Sequence, residues 1–241
     1  MSEGTVKNKI RRFLLFVPLC FIGLYTCCGL ETFYEIKPPY GAIAQNPADG
    51  VTIPQPPVHG SESRKFEFST EANNGAGFIA PGTEVYYRIY NSVEKLQQDA
   101  KAVNAANTDV AGNGFFKMKS LYYTPLRIKD GGKNQDLLIE GAHRVVIRLA
   151  DEEAYTGGVF LDGTLTFEPV LRNKDISFDL IPSAPNPQPP LQTDSDFDFS
   201  GNESGYWYVN AYAVSVGLLS STWTRSVSKV LPLGFLAFKK E

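Results

Sequence analysis

Asp194, Asp196, Asp198 and Glu203 form the chain's best acidic cluster. Alternating aspartates supply oxygen ligands that suit calcium. The helix-flanked calcium loop, however, needs glycine where Phe199 stands and glutamate where Gly205 stands. A solvated acidic loop is the first expectation, and calcium held by Asp194, Asp196 and Asp198 is the alternative. Tyrosines offer a second chemistry. Tyr86 and Tyr90 share one strand face, as do Tyr206, Tyr208 and Tyr212 on a later strand. On neighbouring strands these rings would form one surface able to stack on a sugar or a protein partner. The competing expectation covers that face with a helix and an N-terminal arm.

Other constellations fall short. His59 and His143 are too isolated to make a base or a metal set. Ser204 precedes Gly205 but lacks the rest of a nucleophile elbow. Gly75-Ala76-Gly77-Phe78-Ile79-Ala80 has the spelling of a dinucleotide fingerprint, but Pro81-Gly82 would stop the helix that must receive a pyrophosphate. Asp151-Glu152-Glu153 reads as exposed. The expectation is a non-enzymatic protein without a cofactor.

The N-terminus carries an address. Lys7, Lys9, Arg11 and Arg12 precede thirteen residues, 13–25, that contain no charge. This is the layout of a secretory signal. The apolar run is shorter than the roughly 20 residues that span a bilayer. All three cysteines, Cys20, Cys27 and Cys28, lie in or beside it, so the body has no disulfide framework and no thiolate zinc site. The chain carries −3, of which residues 1–26 contribute +3, leaving −6 from Cys27 onward. An acidic body argues against a nucleic-acid partner and against electrostatic adhesion to anionic lipid.

Leu24-Tyr25-Thr26-Cys27 resembles a relaxed bacterial lipobox. That resemblance implies cleavage before Cys27 and lipidation of its thiol, with residues 1–26 as the signal peptide. An uncleaved signal anchor and plain secretion are the other two outcomes. Each places the rest of the chain outside the cytoplasm, facing the periplasm or the cell surface.

Residues 27–63 read as a lipid-anchored, proline-rich arm. Pro38, Pro39, Pro47, Pro54, Pro56 and Pro57 break any regular element. The arm is either a spacer or a segment packed along the body, to which Phe33, Tyr34, Tyr40 and Ile43 are suited.

From residue 64 to 241 strand patterns dominate, and about 215 residues remain after processing. Glu84-Val85-Tyr86-Tyr87-Arg88-Ile89-Tyr90 is a β-branched and aromatic run, and 206–216 is the strongest strand signal. Further strands are expected at 115–128, 137–149, 158–172, 175–181 and 224–230, with an apolar segment at 231–238. Asp162-Gly163 between apolar runs predicts a tight hairpin, and Pro81-Gly82 a turn. Residues 182–204 read as a long irregular loop. One helix interrupts the pattern. Asn91 with Glu94 makes a capping box, and Val93, Leu96, Ala100 and Val103 fall on one stripe, predicting a helix over 92–106 that packs on the sandwich.

Many short strands without β-α-β alternation argue for a β-sandwich. The 84–90 run resembles the third strand of a fibronectin type III domain. Tyr206-Trp207-Tyr208-Val209-Asn210-Ala211-Tyr212-Ala213-Val214-Ser215 resembles its sixth, and Ser220-Ser221-Thr222-Trp223 resembles the approach to its last. The resemblance implies a mainly β, fibronectin III-like or immunoglobulin-like sandwich that binds or spaces rather than catalyses. The expected partners are a membrane, through the lipid, and an envelope protein or a glycan; the alternatives are a carbohydrate-binding or hydrolytic envelope protein using the tyrosine face and the acidic loop, and a calcium-stabilised adhesin.

Overall fold

The computed structural model describes residues 34–44, 64–72, 77–108, 110, 112–149, 157–180 and 187–240. The signal, Cys27, the rest of the arm, His59 and Asp151-Glu152-Glu153 lie outside the described residues. Among the described residues no helix is long and apolar enough to cross a membrane.

The body is mainly β and sandwich-like. One sheet runs in the order β1 (Tyr40–Ile43), β2 (Lys65–Ser69), β8 (Arg144–Arg148), β9 (Gly158–Leu161) and β10 (Thr164–Phe167). The other is built on three long strands, β3 (Phe78–Tyr90), β13 (Tyr206–Leu219) and β14 (Arg225–Lys239), in that order. The expected third and sixth strands are thus neighbours, with Val85 opposite Ala213 and Ile89 opposite Val209. The free side of β3 is covered in succession by β7 (Leu138–Ile139), β4 (Thr124–Pro125) and β12 (Phe197–Asp198), the last running parallel to it. A small third sheet joins β11 (Val170–Leu171), β5 (Arg127–Asp130) and β6 (Lys133–Asp136).

Strand alternation builds two cores. Val85, Tyr87 and Ile89 of β3 and Val209, Ala211 and Ala213 of β13 point toward Phe66, Phe68, Val145 and Ile147 of the facing sheet. Each large apolar side chain removed from water there contributes roughly 1.5–3 kcal/mol. The opposite face of the same strands carries Tyr86, Tyr90, Tyr208, Tyr212 and Val214, and it is buried as well. Two helices cover it: α1 (Val93–Ala106) and α2 (Asn113–Ser120). The body therefore has three layers, sheet on sheet on helices.

Helix α1 matches its expectation, with its cap one residue on. Ser92, in extended backbone, is the N-cap, and its hydroxyl accepts from Lys95 N–H at 3.3 Å. Asn91 instead continues strand pairing, its N–H donating to Asp198 carbonyl. Leu96, Ala100 and Val103 bury the predicted stripe. Helix α2 replaces the first half of the strand expected at 115–128. Phe115 and Met118, three apart, lie on one helical face and are buried, so the apolar run works at helical period.

Three further expectations change. Pro81-Gly82 is not a turn but part of β3. The ladder slips between Gly82 opposite Val216 and Ile79 opposite Leu218, and Ala80 takes φ of 47° to absorb the excess as a bulge. A Cβ on Gly82 would sit 2.6 Å from Leu138 Cδ1, so glycine is what lets β7 approach. The segments 224–230 and 231–238 are one strand, β14, bent by a bulge where Gly234 has φ of 81°. The strand expected at 175–181 is reduced to a bridge between Ser177 and Leu171. The Asp162-Gly163 hairpin forms as expected, with both residues at positive φ and Leu161 opposite Thr164. Of the arm, residues 34–44 lie on the body, where β1 pairs with β2 and Ile36 is buried.

Candidate binding cleft

The tyrosine face is brought together on adjacent strands, but as a core and not as a surface. Tyr86, Tyr90, Tyr208 and Tyr212 are buried beneath α1 and α2, and Tyr206 is half-buried beside Tyr208. Edge-on aromatic contacts knit the layer: Tyr86 to Phe115, Tyr208 to Phe235 and Tyr123 to Tyr212. Beneath the helices runs a polar thread. Tyr90 hydroxyl donates to Asp99 at 3.2 Å and lies 3.0 Å from Tyr123 hydroxyl, which also accepts from Asn210 Nδ2 at 2.7 Å. Lys95 Nζ closes it on Asp99 at 2.7 Å. Burial pushes the Tyr86, Tyr90, Tyr123 and Tyr212 hydroxyls well above the usual phenol range. Tyr86, Tyr90, Tyr208 and Tyr212 are too buried to stack on a sugar, so the stacking expectation is corrected at these four: the helices bury what would have been the platform.

The acidic cluster is likewise internal. Arg172, 0% exposed, spans two of its carboxylates. Its Nε and Nη2 donate to Asp196 at 3.1 and 3.0 Å, and Nη2 also meets Asp194 at 3.0 Å. Tyr87 hydroxyl donates to Asp196 Oδ2 at 2.6 Å and accepts from Asn173 N–H at 2.7 Å. Burial opposes the Arg172 charge, and Asp196 more than offsets this, holding the guanidinium above its ordinary range. Asp198 turns elsewhere, to Arg88 Nη2 at 2.8 Å and Ser200 N–H. Burial works against its ionisation, but the Ser200 hydrogen bonds win and lower it. The expected solvated loop is thus a pinned one, and arginines occupy the oxygens offered to calcium. Among the described residues no three His, Cys, Asp or Glu side chains are placed to share a metal ion. Sequence reasoning missed Arg172. The available signal was an arginine directly after the apolar Val170-Leu171 in a chain with an acidic loop to neutralise.

His143 lies at a turn, its Nδ1 2.6 Å from Asp162 Oδ2, and this contact ties the β9–β10 hairpin to the start of β8.

Among the described residues, one cleft open to a partner, of about 490 Å³, lies between the small sheet and the β9–β10 hairpin. Leu138, Ile139, Leu161 and Phe167 form its apolar floor. Asp130, Asp136 and Glu140, all exposed, supply carboxylates around it. Gln135 Nε2 donates to Asp130 at 3.2 Å, and Arg127 Nε lies 3.3 Å from Asp136. The strands on either side, β6 and β10, end their sheets. An apolar floor with a negative rim suits a segment that presents apolar side chains beside lysine or arginine. Comparison with protein-family models, curated proteins and solved structures finds no match to this chain.

Proposed function

We propose that this protein is an exported, membrane-tethered, non-enzymatic binding module that engages another protein of the bacterial envelope. The tether is supported by the N-terminal sequence: a basic start, a charge-free run and Cys27 in a lipobox-like setting. Binding is supported by one observation above others, the acidic-rimmed, apolar-floored cleft. Four of the five tyrosines expected at a glycan surface are buried in the core, and Asp194 and Asp196 pair with Arg172, which favours the cleft over those residues.

Two measurements test the reading. Intact mass of membrane-extracted protein should give a chain starting at Cys27 with a diacylglyceryl group, and Cys27→Ala should leave the precursor unprocessed. Full-length mass would mean a signal anchor, and cleavage without lipid would remove the tether. For the cleft, cross-linking in intact cells should capture a partner with the parent protein and lose it with Glu140→Lys. Capture unchanged by Glu140→Lys and by Phe167→Ala would eliminate the cleft as the binding surface.

A further inference from the structure

The point where the chain enters the body and the most exposed tryptophan lie at the same end of the molecule. Tyr34 packs on Phe78, ring centroids 6.3 Å apart, and against Gly77, where an added Cβ would sit 2.3 Å from the Tyr34 ring. Gly77 carbonyl accepts from Ser220 N–H at 3.0 Å, and Phe78 pairs with Leu219. Ser220 opens the turn that joins β13 to β14. That turn displays Trp223, 69% exposed, at φ of 55° with its N–H on Leu219 carbonyl at 2.8 Å. Left-handed backbone is unusual for a bulky residue, and glycine or asparagine would fill such a position with less strain. The turn holds an indole there, outside both cores. Ile79, opposite Leu218, and Tyr34 add exposed apolar surface at this end.

Chain length decides what covers that surface. From Cys27 to Tyr34 is seven residues, so even a fully extended chain spans only about 25 Å. If the anchor is instead an uncleaved signal run ending at Tyr25, the leash is nine residues, about 32 Å when fully extended. The Tyr34 end of the body is therefore the end confined to the membrane surface. Tryptophan and tyrosine favour the headgroup region, where one part of the ring is apolar and the other wet. The net charge of −6 from Cys27 onward gives no electrostatic adhesion, so the contact depends on the leash for its high local concentration.

We infer that the β13–β14 turn, with Trp223 at its tip and Tyr34 and Ile79 beside it, seats in the headgroup layer and orients the body on the bilayer. This rests on the tethered reading of the N-terminus. In that pose β13 stands away from the surface, and its other end carries Trp207, eleven residues from Leu218 and roughly 35 Å along the strand.

The chain's two tryptophans make the test direct. Membrane-extracted full-length protein is reconstituted into phosphatidylcholine vesicles whose acyl chains carry bromine, a short-range quencher. Flotation reports tethering, and emission reports depth. With Trp207→Phe, the remaining Trp223 should lose most of its emission relative to unbrominated vesicles. With Trp223→Phe, the remaining Trp207 should lose none. Protein that floats with Trp223 unquenched, or with both tryptophans quenched alike, overturns the inference and leaves the tether standing. Protein that fails to float overturns the tether, and the inference with it.

Discussion

Replacing Asp196 with alanine should be the most damaging single change in the 182–204 loop. The substitution leaves Arg172 fully buried with only Asp194 and Gln188 carbonyl as acceptors. Removing one partner of a buried ion pair typically costs about 3–5 kcal/mol, because the surviving charge is not returned to water. Asp194 moderates that loss, which places it near about 3 kcal/mol. Tyr87 hydroxyl also loses its acceptor, which adds about 1 kcal/mol. The expected total is about 4 kcal/mol. With a urea slope of about 2 kcal/mol per molar, the midpoint should fall by about 2 M. Equilibrium unfolding in urea, followed by the near-ultraviolet dichroism of the packed tyrosines, measures it. Calcium or chelator should not move the midpoint of the parent protein. The triple variant Arg172→Met, Asp194→Asn and Asp196→Leu should recover much of the loss, since no lone charge is left behind and the amide at position 194 still offers an oxygen to Leu191 N–H. A midpoint for Asp196→Ala within about 0.5 M of the parent would refute the pinned-loop account. A midpoint that rises with calcium in the parent, but not in the variant, would instead restore the metal reading.

Ser92→Ala removes the hydroxyl that accepts from Lys95 N–H and should cost about 1 kcal/mol in the same urea assay. Gly82→Val drives a side chain into Leu138 and should cost about 1–3 kcal/mol, with β7 displaced from β3 and faster proteolysis near residue 138. Raising the pH should unfold the body cooperatively. Burial raises the Tyr86, Tyr87, Tyr90, Tyr123 and Tyr212 hydroxyls, so their stabilisation is whole below the unfolded value of about 10 and is lost as pH climbs toward the folded values. Tyrosinate absorbance and loss of dichroism should therefore rise together, and independent titration of these residues in a folded protein would contradict their burial.

Local chemistry made much of this architecture readable. Asp162-Gly163 allows the positive φ that a two-residue hairpin demands, and the strands on either side follow. The stripe Leu96, Ala100 and Val103 named the buried face of α1. Where reading failed, a long-range contact had overruled the local signal. Pro81-Gly82 looks like a turn, yet pairing with β13 on one side and β7 on the other keeps the chain extended through a bulge. The run from Phe115 to Tyr123 is aromatic enough for a strand, but only a helix places Phe115 and Met118 together against Tyr86, Tyr90 and Tyr212. Arg172 and Asp196, twenty-four residues apart, gave no spacing rule to follow.

The inversion of the tyrosine face teaches a more general point about alternation. Period-two patterning sorts residues into two faces but does not say which face meets water. Charge does. Across 206–216, neither face of the strand contains a single Asp, Glu, Lys or Arg. A strand with water on one side normally alternates apolar with charged or polar residues, whereas one covered on both sides does not. Strand β6, Lys133–Asp136, is the contrast, with every residue exposed. By that criterion β13 required a third layer above its tyrosines, and α1 and α2 are the only helices among the described residues with apolar stripes to supply it. The same logic separates Trp207 from Trp223. The first sits within the charge-free strand and packs at the edge of the sandwich core, while the second follows Ser220-Ser221-Thr222 in a polar turn that no core claims. An indole in such a turn is an exception to the pattern. On the proposed tether, a bilayer close to Tyr34 would be the apolar phase that accounts for it, since Tyr34 and Ser220 both meet Gly77.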